Sequence, residues 1–428
     1  MKILIVAHFF PPEHGGAVMA SQRPYSWAKY WSQMGHDIVV LTTAKAAYPQ
    51  PAQTECFRIQ GVNYWPARPS AEPPLQSASP TPLTTIKERG YQFLRTILLG
   101  IYKNLGTGTL LFVSNTWSVP AIRQALRLYQ TWPFEVVIST YGPPCSHIVG
   151  GILKRKLPVF WVADYRDLWH GYDFLAPKWP FSRLEQALED FLLVKADLVT
   201  AVSDGFAQKL SQRFHKVAHA APNGFETDDL PPLAPKSPSA TFTIVHTGNI
   251  YPQKRDPSLL FQALCQLRQE ESSLLDNLEV RFYGWDLANL LSLIEEYKLQ
   301  PWVKILGYID RKESLKVQRQ ADFLLYLDWL DPLVDGVIGG KLYEYMFAGR
   351  PILAVGASRQ TIAGRIIEDN DIGLCTGQSI EQITSILKKI LAMRSFSYTP
   401  NPDILNKYSR KTLAKNMISM ILAHKNEQ

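Results

Sequence analysis

The stretch "KILIVAHFFPPEHGGA", residues 2–17, decides the fold. Ile3 to Ala7 are apolar without alternation, as in a parallel strand buried on both faces. The run opens into a loop with two prolines and two glycines. A helical pattern then extends from about Ala17 to Met34, with Gly35 as its stop, and "DIVVLTT" (37–43) follows as a second strand. Strand, glycine-bearing loop, helix and strand together make a βαβ unit. Gly15 and Gly16 carry no side chain, so backbone there is able to approach a ligand closely. The N–H groups of the following helix start suit a phosphate. The plainer alternative is a tight strand-to-helix turn. The loop is not GxGxxG, so the usual NAD fingerprint is absent.

The same rhythm continues. "FEVVIST", "LPVFWVAD" and "ADLVTAVS" read as further strands separated by helical patterns. Residues 45–85, rich in proline and serine, read as a long surface insertion. "LPPLAPKSPSA" (230–240) is a proline-rich break, after which the alternation restarts with "TFTIVHTG", "LEVRFYG", "VKILG", "DFLLYL" and "RPILAVG". Helices are expected between these strands near 256–269, 287–298, 311–320 and 340–348. The chain therefore reads as α/β, with two Rossmann-like, doubly wound parallel-sheet domains facing across a cleft. The first covers residues 1–232 and the second 241–402. A last amphipathic helix in 403–428, with Leu413, Met417, Met420 and Ile421 on one side, is expected to cross back to the first domain.

Bulk properties narrow the class. The 428 residues suffice for two ordinary domains, and 46% hydrophobic with 19% charged residues describes a globular chain. No stretch reaches the roughly 20 apolar residues that span a bilayer. No secretory cleavage pattern follows Met1, so a cytoplasmic protein is expected. Four dispersed cysteines without a CxxC pair argue against disulfides and structural zinc. The formal net charge of +7 suits an anionic ligand or an anionic membrane face. There is no dense basic stripe or known module of a nucleic-acid binder.

Candidate functional residues sit where strands end. "HTGNIYPQKRDP" (246–257) leaves a strand at Thr247-Gly248 and carries Lys254 and Arg255 into a helix. Lysine as a compact charge and arginine as a planar fork suit a pyrophosphate; a solvated basic turn is the alternative. "GGKLYEYMFAGRPILAVG" (339–356) is more specific. Lys341 and Glu344 share one face of a short helix. The preceding Gly339 and Gly340 leave its N-terminus open to an anion. A carboxylate one turn in is able to accept two ribose hydroxyls. In "VADYRDLW" (162–169), Asp164, Arg166 and Asp167 end a strand, either as an Arg–Asp lock or aimed at a polyhydroxylated substrate or departing phosphate. His147 in "STYGPPCSH" reads as a packing residue, and "PNGFETDD" (222–229) as a structural turn near the hinge. No metal-ligand spacing is visible.

Taken in order and spacing, "MKILIVAHFFPPEHGGA", "WVADYRDLW", "ADLVTAVSDGFAQKL", "PNGFETDDL", "TGNIYPQKRDP", "KLYEYMFAGRPILAVG" and "YSRKTLAKNM" resemble the GT-B glycosyltransferases of family 4, bacterial cell-surface polysaccharide type. The resemblance spans nearly the whole chain. It implies a retaining transferase moving a sugar from a nucleotide-diphosphate donor to a glycan or lipid-linked acceptor, without metal or other cofactor. It places Gly15 and Gly16 against the donor, and Lys254 or Arg255 on its diphosphate. It sets Gly248, Asn249, Gly340 and Lys341 around the donor and Glu344 on the ribose. It further implies that the base is read by backbone at Tyr308 and Ile309, and that Arg166 and Asp167 lie on the acceptor side at the reacting centre. The family's first glutamate of Glu-x7-Glu falls at Gly336 and is missing. Asn249 stands where many members have arginine, and Arg166 where many have histidine. The competing expectations are a non-catalytic sugar-nucleotide-binding protein and a GT-B epimerase. Residues 86–105 place Leu94, Ile97, Leu98, Ile101, Tyr102 and Leu105 on one helical face beside Lys87, Arg89, Arg95 and Lys103. That face is expected either to touch the inner, anionic face of a membrane or to be a core helix.

Overall fold

The computed structural model describes residues 1–11, 17–45, 57–64, 106–170, 177–226, 241–252, 254–284, 287–330, 338–394, 398 and 401–427. The chain packs as two units, Met1–Ala221 with Ala414–Gln428, and Pro222–Leu413. The first break thus falls at Ala221-Pro222, ahead of the proline-rich run 230–240, which lies outside the described residues.

In the first unit, β1 (Lys2–Val6) pairs in parallel with both β2 (Asp37–Thr43) and β4 (Val136–Thr140). With β3 (Phe57–Val62), β5 (Phe160–Tyr165), β6 (Leu198–Ala201) and β7 (Ala218–Ala220), the described strands run in the order β3-β2-β1-β4-β5-β6-β7, all parallel. Crossover helices explain the absence of alternation in the sequence: Ile3, Leu4, Ile5 and Val6 are all fully buried, on both faces of the sheet. One face packs on α1 (Ala17–Gln33) through Trp27, Ala28 and Trp31. Gly35, with φ +85°, takes the left-handed conformation that ends this helix. The sheet order reverses between β1 and β4, so the loops after these strands diverge at the carboxyl edge, where such sheets bind ligands. Among the described residues the unit also has the helices α2 (Ser118–Thr131), α3 (Cys145–Lys156), α4 (Phe181–Leu193) and α5 (Asp204–Phe214), besides the end of the last helix of the chain.

The second unit repeats the plan. β8 (Phe242–Thr247), β9 (Leu278–Tyr283), β10 (Val303–Gly307), β11 (Phe323–Leu327), β12 (Ile352–Val355) and β13 (Gly373–Cys375) form a parallel sheet in the order β10-β9-β8-β11-β12-β13. Its reversal lies between β8 and β11. Around it pack α6 (Ser258–Glu271), α7 (Ala288–Glu296), α8 (Arg311–Gln320), α9 (Gly340–Ala348), α10 (Ile362–Glu368), α11 (Ile380–Met393) and α12 (Pro402–Lys407). In α9 every residue from Leu342 to Ala348 is buried, so its position is fixed from all sides. The 222–229 stretch is structural where it is described: Phe225 N–H donates to the Tyr408 carbonyl (3.1 Å), and Arg410 N–H to that of Phe225 (3.0 Å).

The last helix, α13 (Arg410–Asn426), begins in the second unit and from Ala414 onward packs in the first. Its buried seam is Ala414, Met417, Ile418 and Ile421, with half-buried Met420 packed on the same cluster; Leu413, half-buried, is the expected residue that lies off it. Trp31 Nε1 donates to the Ala414 carbonyl (2.8 Å), and that bond sets the rotation of the helix.

The strand end after β5 holds two Arg–Asp pairs, Arg166 with Asp167 and Asp164 with Arg23 of α1. Arg23 Nε and Nη2 donate to the two carboxylate oxygens (3.0 and 2.6 Å), and the Thr140 and Thr200 hydroxyls donate at 3.0 and 2.8 Å. Asp164 is fully buried, and these bonds tie α1, β4, β5 and β6 together. Replacing Arg23 by Met leaves an uncompensated buried charge, so unfolding by urea should show a loss of about 3–5 kcal/mol. The double replacement Arg23→Met with Asp164→Leu should recover part of it.

Candidate functional site

The loops after β8 and β11 meet the start of α9 at the carboxyl edge of the second sheet. Gly248 ends β8 with φ +133°, a conformation that excludes ordinary side chains. A Cβ there would come within 3.3 Å of Lys341 Cε, so Lys341 folds back from α9 over the end of β8. Arg255 reaches the same place from the loop. Its Nε donates to the Leu327 carbonyl at the end of β11 (2.5 Å), and its guanidinium lies 5.0 Å from the Tyr326 ring centroid. A Cβ on Gly339 would stand 2.7 Å from both terminal nitrogens of Arg255. Two cations therefore converge at the N-terminus of α9, where helix N–H groups and the helix dipole favour an anion. Lys254 differs: it is exposed, on the turn closed by Lys254 and Arg255 N–H donating to the Tyr251 carbonyl (3.1 and 2.8 Å). Asn249 is exposed beside Gly248.

Glu344, one turn into α9, is 3% exposed. Its Oε1 accepts from Lys341 Nζ (2.8 Å) and Gln318 Nε2 (2.5 Å), while Arg311 Nη1 stands 3.8 Å from Oε2. Gln318 Nε2 also lies 2.9 Å from Thr247 Oγ1 and 3.0 Å from Ser314 Oγ, which couples α8, α9 and β8. Burial pushes the Glu344 carboxyl upward, but the Lys341 ammonium, the hydrogen bonds from Lys341 and Gln318, and the Arg311 charge outweigh it and hold it below the usual range. Tyr308 is 55% exposed and Ile309 half-buried, in the link from β10 to α8. Asp310 caps α8 by accepting from Glu313 N–H (2.8 Å), so this link is held to the helix that carries Arg311 and Gln318.

Sequence reasoning missed Arg311, Gln318 and His246. His246 Nδ1 donates to the Leu325 carbonyl (2.9 Å). Burial lowers its pKa to about 4, with the Arg255 and Lys341 charges acting the same way, so the ring is neutral at pH 7. The position of His246, two residues before Gly248, was the available signal. Nothing in the sequence links Gln318 to a carboxylate 26 residues away.

In the first unit, Arg166 and Asp167 follow β5 and pair with each other, Nε to Oδ2 at 3.1 Å. Their side chains are 21% and 40% exposed, in contrast to the sealed Asp164. A side chain at Gly142 would collide with the Arg166 guanidinium, so the loop after β4 is open there to receive it. His147 is fully buried, bonded to Ser139 Oγ (2.8 Å) and packed on Tyr165, and burial lowers its pKa to about 3; it packs, as expected. Gly15, Gly16, Gly336 and residues 86–105 lie outside the described residues.

Two family descriptions cover the chain: a glycosyl transferase 4-like domain over residues 20–224, and glycosyl transferases group 1 over residues 234–412. The fold is shared with solved structures. The sucrose-phosphate synthase of Thermosynechococcus elongatus superposes with a TM-score of 0.63 at 14% identity, covering 100% of both chains. The apo lipopolysaccharide outer core galactosyltransferase WaaB gives 0.59 at 11%, covering 99% of each. The starch synthase IV catalytic domain of Arabidopsis thaliana, bound to ADP and acarbose, gives 0.58 at 10%, also covering 99% of each. No curated protein matches significantly. The chain belongs to the GT-B glycosyltransferases, with family 4-like and group 1 domains in tandem.

The lowered Glu344 pKa has a signed consequence. Its stabilising contribution is complete above the ordinary carboxylate value of 4.5 and is lost as pH falls through the lower folded value. Stability of the Glu344→Gln variant, measured by urea unfolding between about pH 6 and pH 3, should therefore fall less steeply with acid than that of the wild type.

Proposed function

We propose that this transferase moves a sugar, with retention at its anomeric carbon, from a nucleoside diphosphate donor to a glycan or lipid-linked acceptor in cell-surface polysaccharide synthesis. The observation that supports the donor assignment best is the convergence of Arg255, Lys341 and the Gly339-Gly340 helix start beside the buried carboxylate of Glu344. The diphosphate lies against the two cations and the helix N-terminus. The ribose hydroxyls donate to Glu344, which Gln318 and Lys341 hold in its ionised form. Tyr308 and Ile309 offer backbone to the base. The starch synthase relative binds ADP, a nucleoside diphosphate of the same chemistry.

The reaction follows from charge. As the bond between the anomeric carbon and the diphosphate oxygen lengthens, negative charge grows on the leaving oxygens. Fixed cations and aligned N–H groups stabilise that charge more in the transition state than in the bound donor, so the site accelerates cleavage as well as binding. Arg255 and Lys341 supply this without a divalent cation. The acceptor hydroxyl attacks from the face the diphosphate leaves, and the departing phosphate takes its proton, which preserves configuration. Arg166 and Asp167, polar and partly exposed, orient the acceptor.

Thermal-shift and calorimetric titrations with UDP-, GDP- and dTDP-sugars test the site, since a ligand of the folded state raises the melting temperature. Arg255→Ala should weaken donor binding about tenfold to a hundredfold, the loss of one charge-assisted bond, and Glu344→Ala should do the same. Lys254→Ala should change it by less than about threefold, as expected of an exposed charge. Equal affinities for all four proteins overturn the donor assignment. NMR of the product anomer decides retention.

A further inference from the structure

The outward side of α4 carries a strip of apolar side chains between exposed charges. Leu184, Ala187, Phe191 and the C-cap residue Val194 recur at helical spacing, and Leu184, Phe191 and Val194 are 56%, 54% and 58% exposed. Trp179, two residues ahead of the helix, is 81% exposed. Val217, in the link from α5 to β7, is 74% exposed, and its neighbour Lys216 donates to the Val194 carbonyl at the end of α4 (2.7 Å). A contiguous exposed strip of large apolar side chains marks a contact surface.

The surroundings indicate what it contacts. Lys178, Arg183 and Lys195 are exposed around the strip, and the Arg155 guanidinium lies 3.9 Å from the Phe191 ring centroid. Among the described residues of α4 the exposed acid is Asp190, and it is paired with Arg213 (2.9 Å). A second copy laid on this strip would set these cations against their own kind. A bilayer bearing anionic lipids meets both features, with acyl boundary for the apolar side chains and phosphates for the cations, while Trp179 suits the headgroup level. Among the described residues no helix is long and apolar enough to cross a membrane, so such contact is peripheral.

We infer that the outer face of α4, with Trp179, docks the first unit on an anionic lipid surface. The inner face of the same helix holds the end of β5. Glu189 accepts from the Tyr165 hydroxyl (2.7 Å) and pairs with His170 (2.7 Å) and Arg213 (3.0 Å). Tyr165 immediately precedes Arg166 and Asp167, so the helix that meets lipid is bonded to the strand end that carries them.

Co-sedimentation of the full chain with phosphatidylcholine vesicles, with and without about one-third phosphatidylglycerol, tests the surface without any donor present and so independently of the transfer reaction. The wild type should bind the anionic vesicles at about physiological ionic strength and release them in part at about 1 M NaCl. Leu184→Gln with Phe191→Gln should bind at least about tenfold more weakly while keeping its melting temperature. Lys178→Glu with Lys195→Glu should lose binding to the anionic vesicles. The inference is overturned by a wild type that ignores them, by a Leu184→Gln/Phe191→Gln variant that binds as well as the wild type, or by a wild-type dimer that this variant dissolves.

Discussion

Glu344 is a carboxylate held almost out of water, and the second unit is arranged to make that tolerable. An unpaired buried charge costs several kcal/mol, so it survives only among partners. Lys341 comes from one turn back on α9, and Gln318 and Arg311 from α8. Because α9 is buried from Leu342 to Ala348, its half-buried N-terminus is held in one position, and Arg255 and Lys341 are drawn to that position. Gly248 and Gly339 lack side chains where these two cations need room. The pair of cations at the start of α9 and the ionised carboxylate beside them thus follow from one constraint, the satisfaction of a single buried charge.

The first unit uses the same device for a different end. Asp164 is sealed by Arg23 and two threonine hydroxyls, and it binds four elements at the carboxyl edge of the sheet. Two residues later the chain carries Arg166 and Asp167, which are partly exposed. A rigid, fully satisfied charge fixes the strand end, and the polar pair beyond it is available to a ligand. The α4 helix divides its roles in the same way, since its buried glutamates hold Tyr165 and His170 while its outer face carries the apolar strip of Leu184, Phe191 and Val194.

Much of the fold was legible in the sequence. Unbroken apolar runs such as Ile3 to Ala7 identify doubly covered strands, and helical spacing located α8 and α9 at the bounds the structure shows. Lys341 and Glu344 were legible as a pair because three residues apart on a helix means adjacent in space. Other assignments were not. The sequence suggested an Arg–Asp lock at the end of β5 without its partners: Arg166 pairs with Asp167, and Asp164 takes Arg23, 141 residues away in sequence. Lys254 and Arg255 looked equivalent, yet the turn directs Arg255 toward α9 and leaves Lys254 in solvent. The buried seam of α13 was shifted because its rotation is set by the bond from Trp31 to the Ala414 carbonyl.

Local patterns along the chain settle the alternation of strands and helices, the parallel character of both sheets and the helix that carries Glu344. Those features depend on residues a few positions apart, whose spacing fixes which side chains share a face. Only the tertiary structure decided which cation faces the α9 terminus, that Gln318 and Arg311 hold Glu344, and that Arg23 neutralises Asp164. These choices depend on distances across the fold, where a buried charge takes whichever partner the packed elements bring within bonding reach.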